Sequence, residues 1–426
     1  MIQNQKNKFD NLMLNIRIGF FLSLRQIKRS NKATTALIIF VMTLTFLNLV
    51  VVRGVLVGLI EGSVKVYREY STGEIFISKL PKKNYIENSP SILAIIEAMP
   101  WVSSYSARYL ESGTIEAGYK DKVRLTDASN SAGGVISGID PTNEEATTHL
   151  SSKIVEGAFL TSDDAEFVLL GASLLKKYVP VESASFSFLE NVSPGTRVRI
   201  TVGGNTKEFT VKGIIQSKAD EVDFRAYMLD TTLRQMIGRT DFNVDEVAIR
   251  LVPGSDPIVV KNALLASGVG ATAKVQTAED ALPKFIIDIK NTFAILGNVV
   301  GSIGLVVASI TIFIVIFVNA ITRRKFIGIL KAIGISAQVI EIAYVFQSLF
   351  YATLGIGVGL LILYGFLVPF IAANPIKFPF SDGILVAEVS ATFFRVFLLA
   401  LATLIAGYVP ARIVVKKNTL DSILDR

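Results

Sequence analysis

Four long apolar stretches constrain this chain more than any other feature. They run from about Ala33 to Val52 (ATTALIIFVMTLTFLNLVVV), Thr292 to Ile321, Val339 to Ile371 and Ala391 to Val409. A helix rises about 1.5 Å per residue, so roughly 20 apolar residues cross a hydrocarbon core of about 30 Å. Each stretch therefore predicts a transmembrane helix. The second and third exceed the requirement, which leaves them room to tilt or project. The composition agrees: of 426 residues 51% are hydrophobic and 19% charged, with a mean hydropathy of +0.50. The first stretch does not read as a cleaved signal peptide. It is preceded by more than thirty residues, its apolar core is too long and no A-x-A site follows.

The net charge of +7 is distributed unevenly. Lys6, Lys8, Arg17, Arg25, Lys28, Arg29 and Lys32 precede the first span against one acid, Asp10. Arg323, Arg324, Lys325 and Lys331 lie between spans two and three with no acid, and Arg412, Lys416, Lys417 and Arg426 follow span four against Asp421 and Asp425. The loop between spans three and four has only Lys377, with Asp382 and Glu388. By the positive-inside rule both termini and the 322–338 loop face the cytoplasm, and residues 57–285 lie outside. The expected order is an amphipathic N-terminal helix (1–32), TM1 (33–56), an extracytoplasmic domain (57–285), TM2 (290–321), a cytoplasmic loop (322–338), TM3 (339–371), a short outer loop (372–390), TM4 (391–411) and a cytoplasmic tail (412–426). Met13, Ile16, Phe20, Leu24 and Ile27 recur at helical spacing in the N-terminal segment, with Asp10 or Asn11 as a cap; Arg17, Arg25 and Lys28 suit lipid headgroups. A plain basic extension is the alternative.

The outer region reads as α+β. GEIFISKL after Gly73 alternates like a strand, Ser89-Pro90 opens a helix and Val102–Leu110 reads as a strand. Asp245–Leu251, a helix opened by Asp256-Pro257 and Ala273–Thr277 repeat the pattern. These two βαβ passages predict one lobe built from about 70–111 and 216–285, around a β-rich insertion at about 112–215.

Several chemistries are excluded or disfavoured. There is no cysteine, hence no disulfide or thiolate metal site, and the single histidine, His149, argues against a His-based metal site or a catalytic triad. No phosphate-binding G-x-x-x-x-G-K-[ST] loop occurs; GNVVGSIG (297–304) lies in a span and has no lysine. Charges inside the spans read as few: Arg53 near the outer end of span one and Glu341 at the inner edge of span three. No ion relay crosses the bilayer. Nothing indicates a nucleic-acid partner, a metal or a cofactor bound by this chain.

Two features suggest partners. The 322–338 segment predicts a short basic helix whose Phe326, Ile329, Leu330 and Ile333 form an apolar stripe suited to a groove on another protein. Gly328 would allow close approach and Gly334 would end the helix. A loop that merely fixes topology is the alternative. Gly54, Gly58 and Gly62, and Gly297, Gly301 and Gly304, form small-residue stripes that permit close helix packing, between subunits or within one.

Over nearly its whole length the chain resembles the permease subunits of ABC transporters of the MacB/LolC–LolE/FtsX type. The resemblance lies in LSLRQIKRSNKATTALIIF before span one, GLIEGSVKVYREYSTGEIFIS after it, ISGIDP (136–141), EGAFL (156–160) and VLLGASLLKKY (168–178). RRKFIGILKAIGIS (323–336) and GYVPARIVVKKNTLDSIL (407–424) complete it. Phe326 stands where many relatives carry an acid, and Asn418 where many carry proline. The resemblance implies a non-catalytic subunit in the cytoplasmic membrane, one of two identical or homologous permeases, contacting two copies of a separate ATPase that holds ATP and Mg. Arg323, Arg324, Lys325, Phe326, Gly328, Ile329, Leu330, Lys331 and Gly334 would form the ATPase-coupling segment. It further implies mechanotransmission to the outer domain for release or export of a lipoprotein, lipid or other hydrophobic substrate, with a periplasmic adaptor or lipoprotein acceptor as a further partner. The alternatives are an FtsX-like regulator of a cell-wall hydrolase and a MacB-like efflux permease. A membrane-anchored enzyme is disfavoured, since no nucleophile elbow is present.

Overall fold

The computed structural model describes residues 2–119, 130–179, 187–374, 376–378, 381–383 and 385–416. The tail residues Lys417, Asn418, Asp421, Asp425 and Arg426, and with them the end of the 407–424 phrase, lie outside these.

The chain divides into two compact units: a helical one (1–59, 288–376 and 383–426) and a sheet domain (60–287 and 377–382). It begins with α1 (Ile2–Lys28), nine residues earlier than a cap at Asp10 would allow. Nothing in the preceding residues breaks a helix, since neither proline nor glycine occurs before Gly19. Helix α2 (Lys32–Tyr67) outruns the expected 33–56 span by eleven residues and ends in a π turn at Arg68–Thr72. Gly73 stops it at φ 65°, where a side chain would collide with the Ile249 backbone.

The sheet domain follows in chain order: β1 (Ile75–Lys79), α3 (Ser89–Glu97), β2 (Val102–Ala117), β3 (Ser131–Ile139), α4 (Pro141–Thr148), β4 (Ile154–Gly157), β5 (Phe167–Gly171), β6 (Arg197–Val202), β7 (Asn205–Ile215), α5 (Asp220–Asp223), β8 (Arg225–Leu229), α6 (Asp230–Ile237), β9 (Glu246–Leu251), α7 (Pro257–Ala266) and β10 (Ala273–Thr277). The two βαβ passages interlock. Their strands lie in the order β10-β1-β9-β2 with every neighbour antiparallel, the split-βαβ arrangement. Ile92 and Ile96 of α3 and Val260 and Leu264 of α7 share one core with Ile75, Ile77, Val247 and Ile249. Asp256 caps α7 as its Asp-Pro start predicts, accepting from the Ile258 N–H at 2.8 Å. Ser89 does not cap α3. Its hydroxyl turns back to donate to the Ile86 carbonyl and accept from the Val244 N–H, and Asn88 takes the cap position.

The second lobe is a ring. Strand β2 pairs with β3, β3 with β8, β8 with β5, β5 with β7, β7 with β6 and β6 again with β2. Strand β2 serves both lobes: residues 102–108 pair with β9 and residues 109–116 with β3. The expected divide at 111/112 therefore falls inside one continuous strand, and β8, beyond the expected limit at 215, belongs to the ring.

A third core joins Ile139, Leu150, Leu169, Ile215 and Tyr227 of the ring lobe to Val66 and Tyr67 of α2. It also takes in Leu282, and Ile286 of α8 (Lys284–Thr322). The terminal turns of two long apolar helices are thus built into the sheet domain.

After α8 come α9 (Arg324–Ala332), α10 (Ala337–Ile362), a π turn at Leu363–Leu367, α11 (Val368–Ala373), the short strands β11 (Ile376–Phe378) and β12 (Ser381–Gly383), and α12 (Val389–Val415). Pro369 explains the π turn, because it has no N–H for the Gly365 carbonyl one turn back. Four helical stretches, Lys32–Thr72, Lys284–Thr322, Ala337–Ala373 and Val389–Val415, are long and apolar enough to cross a membrane. Helix α1 packs on α10 through Gly19, which sits against Ile342, and through Phe20, whose ring meets Phe346 edge-on at 5.3 Å. Phe20 belongs to the expected stripe, but the stripe as a whole is not the buried face. Met13, Ile16, Phe20 and Leu24 stay largely exposed, while Gly19 and Ser23 are buried.

Candidate functional site

The turn from α8 through α9 to α10 holds the expected coupling residues. Helix α8 ends at Thr322, and Arg323 leaves helical geometry (φ −104°) before α9 begins. At the far end the Ile335 N–H donates to the Leu330 carbonyl at 3.0 Å and the Gly334 N–H to the Lys331 carbonyl at 3.1 Å. With Gly334 at φ 93° this is a Schellman stop, so the glycine ends the helix by the geometry its lack of a side chain allows. Ser336 then caps α10 by accepting from the Val339 N–H at 3.4 Å. The Lys331 ammonium donates to the Val415 carbonyl at 2.9 Å and so ties α9 to the end of α12.

Burial splits the expected stripe. Ile327, Gly328 and Leu330 face inward, and Ile327 and Leu330 join a core with Ile316, Ile340 and Val414. Phe326, Ile329 and Ile333 are 55%, 51% and 70% exposed. Spaced at i, i+3 and i+7, these three form one outward apolar face. Gly328 and Leu330 therefore hold α9 in place, and Ile329 with its two neighbours is what a partner would meet. Arg323 and Arg324 are half-buried and Lys325 is exposed.

The glycine stripes pack within the chain. A side chain at Gly297, Gly301 or Gly304 of α8 would meet Arg53, Leu49 or Asn48 of α2, at 3.3, 3.2 and 2.8 Å. The Arg53 guanidinium donates to Asn298 Oδ1 at 2.7 Å across the same contact. A side chain at Gly54 would come within 2.7 Å of the Val386 carbonyl oxygen, and Gly58 and Gly62 are buried. A closer approach was not anticipated: Gly355 and Gly359 of α10 take Met42 and Phe46 of α2, and the Thr43 hydroxyl donates to the Gly355 carbonyl at 3.0 Å. This is a small-xxx-small contact, legible in the GIGVG run of 355–359. Arg395 lies inside α12, a further charge in the long apolar helices beyond Arg53 and Glu341.

Sequence reasoning also missed a buried ionic network in the sheet domain. Arg108 of β2 grips Glu144 of α4 with two bonds of 2.6 and 2.7 Å and reaches Glu246 of β9 at 3.0 Å; Arg225 of β8 donates to the same Glu246 at 2.5 and 3.2 Å. Ser106 and Thr148 donate their hydroxyls to Glu144. Burial alone would favour the neutral carboxyl, but Arg225 and Arg108 outweigh it and hold Glu246 at about 2. Glu144 is likewise held below the usual range, its burial overcome by Arg108. Asp223, which accepts from the Ser217 and Lys218 N–H groups, is pushed up to about 6 by burial. His149 is exposed at the end of α4, and among the described residues no cluster of His, Asp and Glu could hold a metal ion.

Residues 298–419, which include α9 and its exposed face, match the family described as FtsX-like permease C-terminal. The C-terminal helical segment is an FtsX-like permease domain. This bears out the family resemblance read from the sequence. No curated protein matches the chain. Among solved structures the chain is similar to the periplasmic region of MacB from Actinobacillus actinomycetemcomitans (15% identity, 50% of this chain, 94% of that one, TM-score 0.35). It is also similar to the extracellular domain of the noncanonic ABC-type transporter YknZ from Gram-positive bacteria (14% identity, 48% and 99%, TM-score 0.31). The permease domain thus comprises most of α8, all of α9 to α11 and α12, and Arg323 to Gly334 lie within it.

Proposed function

We propose that this chain is the membrane subunit of an ATP-driven ABC transporter, receiving motion from a separate ATPase at α9 and delivering it to the sheet domain across the membrane. The observation that carries this reading is the outward face of Phe326, Ile329 and Ile333 on a short basic helix fixed to the bundle by Ile327, Leu330 and the Lys331–Val415 bond. A helix anchored on one face and apolar on the other passes a push into the bundle. Helices α2 and α8 supply the output, because their terminal turns belong to the sheet domain's core. ATP and Mg stay on the ATPase, of which two copies serve a pair of permeases, the second identical or homologous. The basic segments favour a cytoplasmic side of the cell membrane for both termini and α9, by the positive-inside rule. The substrate class we favour is a lipoprotein, lipid or other hydrophobic molecule, handled outside with an adaptor or acceptor protein.

Affinity purification of the full chain from its native membranes tests this. Wild-type protein should bring down an ABC ATPase identified by mass spectrometry, and the Phe326→Asp/Ile329→Asp variant should recover at least about tenfold less, since each apolar contact contributes on the order of 1.5–3 kcal/mol. Leu330→Asp is unsuitable, because it buries a charge in the bundle. Undiminished recovery with the double variant would sink the assignment.

A further inference from the structure

The last turns of α1 and the α8–α9 turn enclose a cleft of about 610 Å³. Arg25 of α1 and Arg29, just past its end, line it from one side and Arg323 and Lys325 from the other. Leu22 and Phe326 supply apolar walls, and no carboxylate lines it. Gln26 also lines the cleft, and its side-chain oxygen is buried without a hydrogen-bond partner. Four cationic side chains lining one small volume make it attractive to an anion. The cleft lies where the apolar run of α8 ends, which for a membrane-crossing helix is the level of a lipid headgroup layer. Beside it on α1, Phe21 and Leu24 are exposed and apolar. The occupant that fits is therefore amphipathic as well as anionic.

We propose that this cleft holds the headgroup of an anionic phospholipid, its phosphate among Arg25, Arg29, Arg323 and Lys325 and its acyl chains along the apolar surface of α1. Basic clefts between helices on the positively charged side of a membrane suit such headgroups, and guanidinium groups pair with phosphate oxygens two at a time. A lipid bound there bridges α1 to the root of α9. The inference stands whether or not α9 docks an ATPase.

The test uses the full-length chain in nanodiscs of equimolar dioleoyl phosphatidylglycerol and dioleoyl phosphatidylcholine, with retained lipid counted by native mass spectrometry. Wild-type protein should retain phosphatidylglycerol over phosphatidylcholine by roughly tenfold or more. Arg25→Gln/Arg323→Gln should bring the ratio near one, and Arg17→Gln/Lys28→Gln, which remove the same charge outside the cleft, should leave it high. An unchanged ratio in the first variant overturns the proposal. Gln26→Cys reads the same site without removing a charge, in a chain with no other cysteine. Phosphatidylglycerol should slow its reaction with maleimide about tenfold relative to phosphatidylcholine, and equal rates overturn the proposal. Protection by the ATPase in phosphatidylcholine, with none from phosphatidylglycerol, makes the occupant a protein and also overturns it.

Discussion

Arg108→Ala is expected to lower the stability of the sheet domain by about 3–5 kcal/mol, the cost of removing one partner from a buried ion pair. The substitution leaves the Glu144 carboxylate fully buried with only the Ser106 and Thr148 hydroxyls, while Glu246 keeps Arg225. Neutralising Glu144 at the same time should recover much of the loss, so Arg108→Ala/Glu144→Ala costs less than the sum of its single variants. The chain's one tryptophan, Trp101, stands just before β2 in the sheet domain. Its fluorescence in a urea titration therefore follows this domain in the full-length protein. A midpoint unchanged by Arg108→Ala would mean that the network contributes little to holding β2, α4, β8 and β9 together.

Gly355→Leu should disrupt the α2–α10 contact. A Cβ at this position would overlap Met42 and come within 3.2 Å of the Ile39 carbonyl, so backbone as well as side chain must move. Parting the helices also breaks the bond from the Thr43 hydroxyl to the Gly355 carbonyl. Overpacking of this kind costs about 1–3 kcal/mol. Thermal loss of helical circular dichroism in detergent should begin at a lower temperature than in wild type. Gly357→Leu, two residues from both Gly355 and Gly359 and with open space around it, is the matched control.

The spans were legible because a bilayer demands a long apolar run wherever it is crossed, and Ala33–Val52 and Ala391–Val409 declare that requirement without reference to neighbours. Their ends were not, because α2 and α8 continue as amphipathic turns whose apolar residues, Val66, Tyr67 and Ile286, are buried by the sheet domain rather than by lipid. The βαβ passages could be read from Ser89-Pro90 and Asp256-Pro257, since proline after a short polar residue marks a helix start locally. The ring of strands could not, because its closure depends on β2 finding β6 some eighty residues later, and only a folded chain shows that pairing. On α9 the apolar positions were visible but not their sides. Periodicity shows that Phe326, Ile329, Leu330 and Ile333 share half a helix. Which of them the bundle claims is decided by the packing of Leu330 against α10 and α12. The ionic network had no signal at all, for Arg108 and Glu246 sit in alternating strands where a charge ordinarily points to water.

The central claim is that the exposed face of α9 is the contact through which an ATPase drives this permease. With no native cysteine in the chain, Ile329→Cys places a single reactive thiol on that face. Its rate of maleimide modification should fall at least about tenfold when the ATPase is added to the reconstituted protein. The rate at Ile258→Cys, also exposed but in the sheet domain, should stay the same. Equal rates at position 329 with and without the ATPase would contradict the account.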